Sequence, residues 1–187
     1  MVDEKFSGFS INNWETISED TQLKTPIFNI TKRRSRLPAE NIEGEFYLLT
    51  PPDWINVIAT TKEQNVVLVE QFRHGLEKPT LEIPGGMIDP GESPLEASKR
   101  ELLEETGYST DHWVDLGEVS VNPAIQTNHT YTFWAQDCEL TASQQLDRNE
   151  RINIHTLPED EFLKLVRNGT IHHSLVVAAV AKYLLYR

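Results

Sequence analysis

Residues 93–107 constrain the fold more than any other stretch, because a helix with both ends and one face defined can be read there directly. Ser93 is a helix-capping residue, Pro94 suits the first helical position, and Glu96 completes a capping box with Ser93. Gly107 supplies the C-terminal stop. Leu95, Leu102 and Leu103 fall at i, i+7 and i+8, so the helix is predicted to lay an apolar stripe on a core. A chain with such a helix needs a second layer to receive it.

The other face of this helix is acidic where stability alone would make it basic. Glu101 and Glu105 are four residues apart with Glu104 between them, so the three carboxylates can project from one side of the last turns. Like charges at this spacing cost about 0.2–0.5 kcal/mol per pair, and each anion near a helix C-terminus costs about 0.3–1 kcal/mol. A hard divalent cation such as Mg²⁺ or Mn²⁺ removes that conflict, since it takes oxygen ligands and binds through carboxylates and substrate phosphates. Arg100, four residues before Glu104, is placed to hold one carboxylate. The competing reading is a solvated acidic face paired with Lys99 and Arg100.

Gly86, Glu92, Arg100, Glu101, Leu102, Glu104, Glu105 and Gly107 occupy the fixed positions of the pattern G-x5-E-x7-R-E-U-x-E-E-x-G-U. On these residues the chain resembles the Nudix hydrolases, with Tyr108 at a position that normally holds a bulky aliphatic side chain. The resemblance implies hydrolysis of a nucleoside diphosphate linked to another group. It implies Glu101 and Glu105 as the main metal ligands, Glu104 assisting directly or through water, Arg100 orienting them, and the Gly85 carbonyl as a further ligand. Metals suit this chemistry because a pyrophosphate repels an attacking hydroxide, and bound cations neutralise its oxygens.

From about residue 14 to 187 the chain is similar to the ADP-ribose and nucleoside-diphosphate-sugar pyrophosphatase branch, through Glu70-Gln71-Phe72-Arg73, Leu81-Glu82-Ile83-Pro84-Gly85-Gly86 and Pro123. The branch implies that Arg73 contacts the diphosphate, that Glu82 supports a metal or the terminal sugar, and that Pro123 lines the substrate site. The residues alone equally allow Arg73 and Glu82 to be ion-pair partners. Many ADP-ribose hydrolases read Ser-Pro-Gly and a glutamate where this chain has Asn122-Pro123-Ala124-Ile125-Gln126, so sugar nucleotides such as GDP-mannose compete with ADP-ribose. By position the loop Gln144 to Arg151 supplies the general base, with Glu150 first and Asp147 behind it. A nucleotide-binding regulator without activity and a triphosphate-cleaning pyrophosphatase are the alternatives. The intact acidic set argues against the first, and the N-terminal sheet and Pro123 against the second.

A formal charge of −12 argues against nucleic-acid or anionic-membrane partners. The run Lys32-Arg33-Arg34-Ser35-Arg36 is the exception, either a solvated strand face or phosphate-binding charge. A single cysteine, Cys138, excludes an intrachain disulfide and fits a reducing, cytoplasmic setting. Asp3, Glu4 and Lys5 lead to the expectation of no secretion signal, and the apolar run Leu175 to Ala181 is too short to span a bilayer.

Residues 1–53 are expected to form a small antiparallel sheet, with strands around Ile27–Ile30 and Glu45–Leu49, and 54–187 the catalytic domain. Strands are predicted at Ile55–Ala59, Val66–Phe72, Leu81–Ile83, Trp113–Val121 and Thr130–Ala135. A helix follows from Pro158 to Gly169, and a last one from Ser174 to Tyr186, apolar on most faces and expected to be buried; His172 and His173 before it read as cap or surface residues. Strands grouped with three helices fit an α/β/α sandwich, the fold the resemblance also implies. Members of the branch commonly pair as homodimers through their N-terminal sheets, which is the expectation for residues 1–53.

Overall fold

The computed structural model describes Gly8 and residues 10–187, so Asp3, Glu4 and Lys5 lie outside the described residues. The chain divides into two compact units, Met1–Pro51 with Asn122–Thr127, and Pro52–Val121 with Asn128–Arg187.

The first unit is a three-stranded antiparallel sheet in the order β1 (Glu15–Lys24), β2 (Asn29–Leu37), β3 (Ile42–Thr50). β2 carries the basic run down the centre, and its neighbours supply the countercharges: Lys32 pairs with Glu45 at 2.8 Å, Arg33 with Glu19 at 2.6 Å, Arg34 with Glu43 at 2.6 Å and Arg36 with Glu15 at 2.7 Å. These cations are therefore engaged within their own sheet, which favours the solvated strand face. Exposed pairs add little stability; their effect is on register, because a slip would part each cation from its carboxylate. The turn at Asn122–Thr127 joins this unit through Leu49, whose N–H donates to Ile125 O at 2.7 Å and whose carbonyl accepts from Thr127 N at 3.2 Å.

The second unit is built on a sheet of β4 (Trp54–Thr61), β5 (Asn65–Arg73), β6 (Lys78–Glu82), β7 (Gly85–Met87), β8 (Tyr108–Ser109), β9 (His112–Ser120), β10 (His129–Leu140) and β11 (Ile152–Pro158). The path runs β11-β5-β4-β10-β8, with β6 on β5, β7 on β4 and β9 on β10. Only β4 and β10 pair in parallel; the rest are antiparallel. Helix α1 (Pro94–Thr106) covers one face, α2 (Glu159–Arg167) and α3 (Ser174–Tyr186) the other.

Strand alternation makes the sandwich. Ile55, Val57 and Ala59 of β4 and Val67 of β5 join Ala97 and Leu102 of α1 in one core. Ile58, Val66 and Leu68 point the other way, into a core with Phe162 of α2 and Val176, Ala179, Val180 and Tyr183 of α3. This is the expected α/β/α architecture.

Three local expectations are corrected. On α1 the inward face is Ala97, Ser98, Leu102, Glu105 and Thr106, with Leu95 and Leu103 only half-buried. Small residues allow the close approach, and Ser98 and Thr106 return their hydroxyls to the Pro94 and Leu102 carbonyls, so both are buried without a lost hydrogen bond. The last helix buries Leu175, Val176, Ala179, Val180 and Tyr183 but exposes Val177, Leu184, Leu185 and Tyr186, since only one side meets the sheet. β1 and β11 were not anticipated. Among the described residues no helix is long and apolar enough to cross a membrane.

Candidate active site

The site begins where β6 ends. After Glu82 the chain turns through Ile83 and Pro84 into β7, fixed by hydrogen bonds from Val57 N to Pro84 O at 2.9 Å and from Ile88 N to Asp53 O at 3.0 Å. α1 then starts as expected: Ser93 accepts from Glu96 N, the Glu96 carboxylate accepts from Ser93 N, and Gly107 closes the helix at φ +73. The two glycines of β7 are there for steric reasons. A Cβ at Gly86 would overlap the Glu101 carboxylate, and one at Gly85 would sit 2.6 Å from Ile55 O. The Glu101 carboxylate thus lies directly on bare backbone, and the Gly85 N–H donates to Glu105 Oε2 at 3.0 Å.

The three helix glutamates occupy three environments. Glu105 is only 4% exposed. Burial pushes its carboxyl up to about 8; the Gly85 N–H works against that, Glu101 and Glu150 add to it, and Arg73 opposes it. Glu101 is raised as well, first by burial, with Arg100 acting against it and Glu104 and Glu150 reinforcing it. Glu104 has a side chain 42% exposed and turns toward Arg100.

Arg100 ties the loop to the helix. Its Nε and Nη2 grip Glu92 at 3.0 and 2.9 Å, Nη2 also donates to Met87 O at 3.0 Å, and Nη1 donates to Glu101 at 2.9 Å and Glu104 at 3.2 Å. The guanidinium is driven well above its ordinary value, foremost by Glu92. Arg100 thereby bridges Glu92 of the loop to Glu101 and Glu104 of the helix.

Among the described residues no three carboxylate, imidazole or thiol side chains converge as a metal-binding group. The donor chemistry nonetheless fits a hard divalent cation. Glu101 and Glu105 are oxygen donors whose burial penalises their own charge, and Glu101 rests in a cradle that a Cβ would fill.

Arg73 and Glu82 form a forked pair. Arg73 Nε donates to Glu82 Oε1 at 2.8 Å and Nη2 to Oε2 at 2.7 Å, while Thr80 Oγ1 donates to Oε1 at 2.6 Å. The Glu82 side chain is 3% exposed, that of Arg73 41%. Burial alone would raise the Glu82 carboxyl, but Arg73, His173 and Thr80 outweigh it and hold the group well below the usual carboxylate range. His173, read from sequence as a cap or surface residue, makes no side-chain cap bond and places Nδ1 2.9 Å from Glu82 Oε2.

Glu150 is exposed, and its Oε2 accepts from Asp147 N at 3.0 Å, closing its own turn. Its loop is tied to α1, because Gln144 donates to Glu105 O at 2.6 Å and Gln145 N to Glu104 O at 2.8 Å. These bonds satisfy carbonyls left open at the helix end. The Glu150 charge is consequently felt by Glu101 and Glu105. Pro123 belongs to the first unit, exposed in its turn, and not to the unit that carries the carboxylates. Sequence reasoning missed Thr80, Gln144 and the contact of His173 with Glu82; the alternation Thr80, Glu82 along one strand face was the available signal for the first.

Residues 50–178 match the family model described as NUDIX domain. A methanol dehydrogenase activator from Bacillus methanolicus is 34% identical over 69% of this chain and 70% of its own length. An ADP-ribose pyrophosphatase from Bacillus subtilis (strain 168) is 29% identical over the same shares. The crystal structure of an ADP compounds hydrolase superposes with a TM-score of 0.82 over 95% of this chain and 96% of that one, at 19% identity, which establishes a common fold. Arg100 bound to Glu92, Glu101 and Glu104 against a glycine strand is what the matched domain's motif builds here, and the chain belongs to the Nudix hydrolase family.

Proposed function

We propose that the chain hydrolyses the pyrophosphate bridge of ADP-ribose and related nucleoside diphosphate sugars, releasing a nucleoside monophosphate and a sugar phosphate. The observation that carries this reading is the pair of carboxylates at the glycine strand: buried Glu105 accepts from the Gly85 N–H at 3.0 Å, and Glu101 rests where a Cβ of Gly86 would lie. Arg73 and Glu150 of the same unit add a cation for phosphate and an exposed carboxylate. Relatives bearing the name ADP-ribose pyrophosphatase support the substrate class.

In this reading Glu101 and Glu105, with Glu104 and the Gly85 carbonyl, hold Mg²⁺ or Mn²⁺, and Arg100 keeps the glutamates in place. When bound, the cation supplies positive charge that neutralises the diphosphate and makes the attacking water more acidic. Arg73 holds the diphosphate through Nη1 and Nη2 of its guanidinium, while Glu82 keeps its Nε. Glu150 takes the proton as the water oxygen bonds to phosphorus and the bridging oxygen leaves with the second phosphate. The exposed Trp14, Ile17, Phe46 and Tyr47 of the first unit support a homodimer formed through that sheet. The single, buried Cys138 supports a cytoplasmic setting.

The test is product analysis with Mg²⁺ or Mn²⁺ across ADP-ribose, GDP-mannose and nucleoside triphosphates in ¹⁸O-labelled water. ADP-ribose should give AMP and ribose 5-phosphate with label on one phosphate. Label on the anomeric carbon, or cleavage of triphosphates alone, sinks the proposal.

A further inference from the structure

Glu82 has more polar neighbours than its pairing with Arg73 requires. Oε1 accepts from Arg73 Nε and Thr80 Oγ1; Oε2 accepts from Arg73 Nη2, and His173 Nδ1 lies 2.9 Å from that same oxygen. At that distance Nδ1 acts on the carboxylate as an ion-pair contact, yet it does not meet hydrogen-bond geometry and is buried without a hydrogen-bond partner. His173 precedes α3 at a position where side chains commonly cap, yet its ring leaves the helix end alone. The backbone there is held: His173 O accepts from Val177 N at 3.0 Å, and Asn56 Nδ2 donates to Leu175 O at 3.1 Å, pinning the first turn of α3 to β4. The fold thus presses an imidazole with an unused nitrogen against a carboxylate that is already occupied.

That arrangement has a use once Arg73 is asked to bind a diphosphate. Nε and Nη2 are both committed to Glu82. A phosphate that draws Nη2 away would leave a buried carboxylate oxygen without its donor, a state that is strongly disfavoured. We propose that His173 is a positioning residue: it takes over Oε2 of Glu82 through Nδ1–H when Arg73 turns Nη2 toward the substrate diphosphate. This rests on the reading of Arg73 given above, and His173 acts only through Glu82.

The test compares His173→Leu and His173→Asn in steady-state kinetics with ADP-ribose, together with ¹⁵N spectra of the wild-type imidazoles during titration with a non-hydrolysable α,β-methylene analogue. His173→Leu should raise KM about tenfold with kcat changed less than about twofold, the loss expected for one hydrogen bond formed on binding. His173→Asn, whose amide nitrogen reaches the place of Nδ1, should recover KM to within about threefold of wild type. The analogue should shift the His173 Nδ1 resonance to that of a hydrogen-bonded N–H, a readout that needs no variant to fold. An Asn variant as impaired as the Leu variant, an unmoved KM in His173→Leu, or an unmoved Nδ1 signal overturns the inference and leaves the hydrolase reading standing. A wild-type protein inactive on every nucleoside diphosphate sugar defeats both.

Discussion

Glu105→Gln separates the electrostatic cost of the site from its chemistry. Without a divalent cation the folded protein titrates Glu105 at about 8, whereas the ordinary value is 4.5. Between those two pH values the folded state keeps a proton that the unfolded chain has released, so stability falls as pH rises through the window. The full cost, reached above the higher value, is at most about 5 kcal/mol, and sharing the repulsion with Glu101 brings the expected figure to about 2–3 kcal/mol. At about 2–4 °C per kcal/mol for a chain of this size, the wild-type Tm in chelator should drop by about 5–10 °C more than that of Glu105→Gln between pH 5 and pH 8. Scanning calorimetry of both proteins isolates the effect, because they differ only at residue 105. Millimolar Mg²⁺ should restore the wild type at pH 8 and leave the variant unmoved, while the variant loses most of its turnover. Parallel Tm curves within about 1 °C would refute the burial argument, and unchanged turnover would refute the metal assignment.

Arg73→Ala should lower kcat/KM by about 1.5–3 kcal/mol of transition-state stabilisation, and Arg73→Lys should not rescue it, since an ammonium cannot reproduce the fork on Glu82; a change below about threefold in kinetics assigns Arg73 to structure alone. Glu150→Gln should slow turnover about 10²–10⁴-fold with little change in substrate binding, and a normal kcat moves the base to Asp147 or a helix glutamate. Gly86→Ala should weaken divalent-cation binding at least about tenfold in titration calorimetry, because the new Cβ displaces the Glu101 carboxylate. Unchanged affinity there means that the glycine cradle does not set the ligand geometry.

Signals confined to a few residues were readable in the sequence, and those spread over distant strands were not. The ends of α1 follow from Ser93, Glu96 and Gly107, each acting on its own backbone neighbours, so they could be placed without any tertiary knowledge. The burial of Glu105 depends on which side of α1 meets β7, and that is decided by Ala97 and Ser98 letting the helix approach; the leucine stripe pointed slightly elsewhere. β1 was invisible because all ten of its residues are exposed, and backbone pairing and ion pairs with β2 hold it in the sheet. β11 did carry a period-two signal in Ile152 and Ile154, masked by the acidic and basic loop before it. Pairing of Lys32–Arg36 with Glu15, Glu19, Glu43 and Glu45 becomes visible only once three strands are set side by side. The contact of His173 with Glu82 escaped notice for a similar reason, since Glu82 lies on a strand far back in the chain.

The turn at Asn122–Thr127 imposes an order of events on a growing polypeptide. Leu49 and Thr127 are joined by a hydrogen bond spanning 78 residues, so the first unit cannot complete itself from its own N-terminal segment. At roughly 5–20 residues per second, the ribosome delivers that closing turn several seconds after β3 has emerged. During this interval the N–H and carbonyl of Leu49 lack the partners that the turn supplies, and this stretch of open strand edge is available to any neighbouring nascent chain.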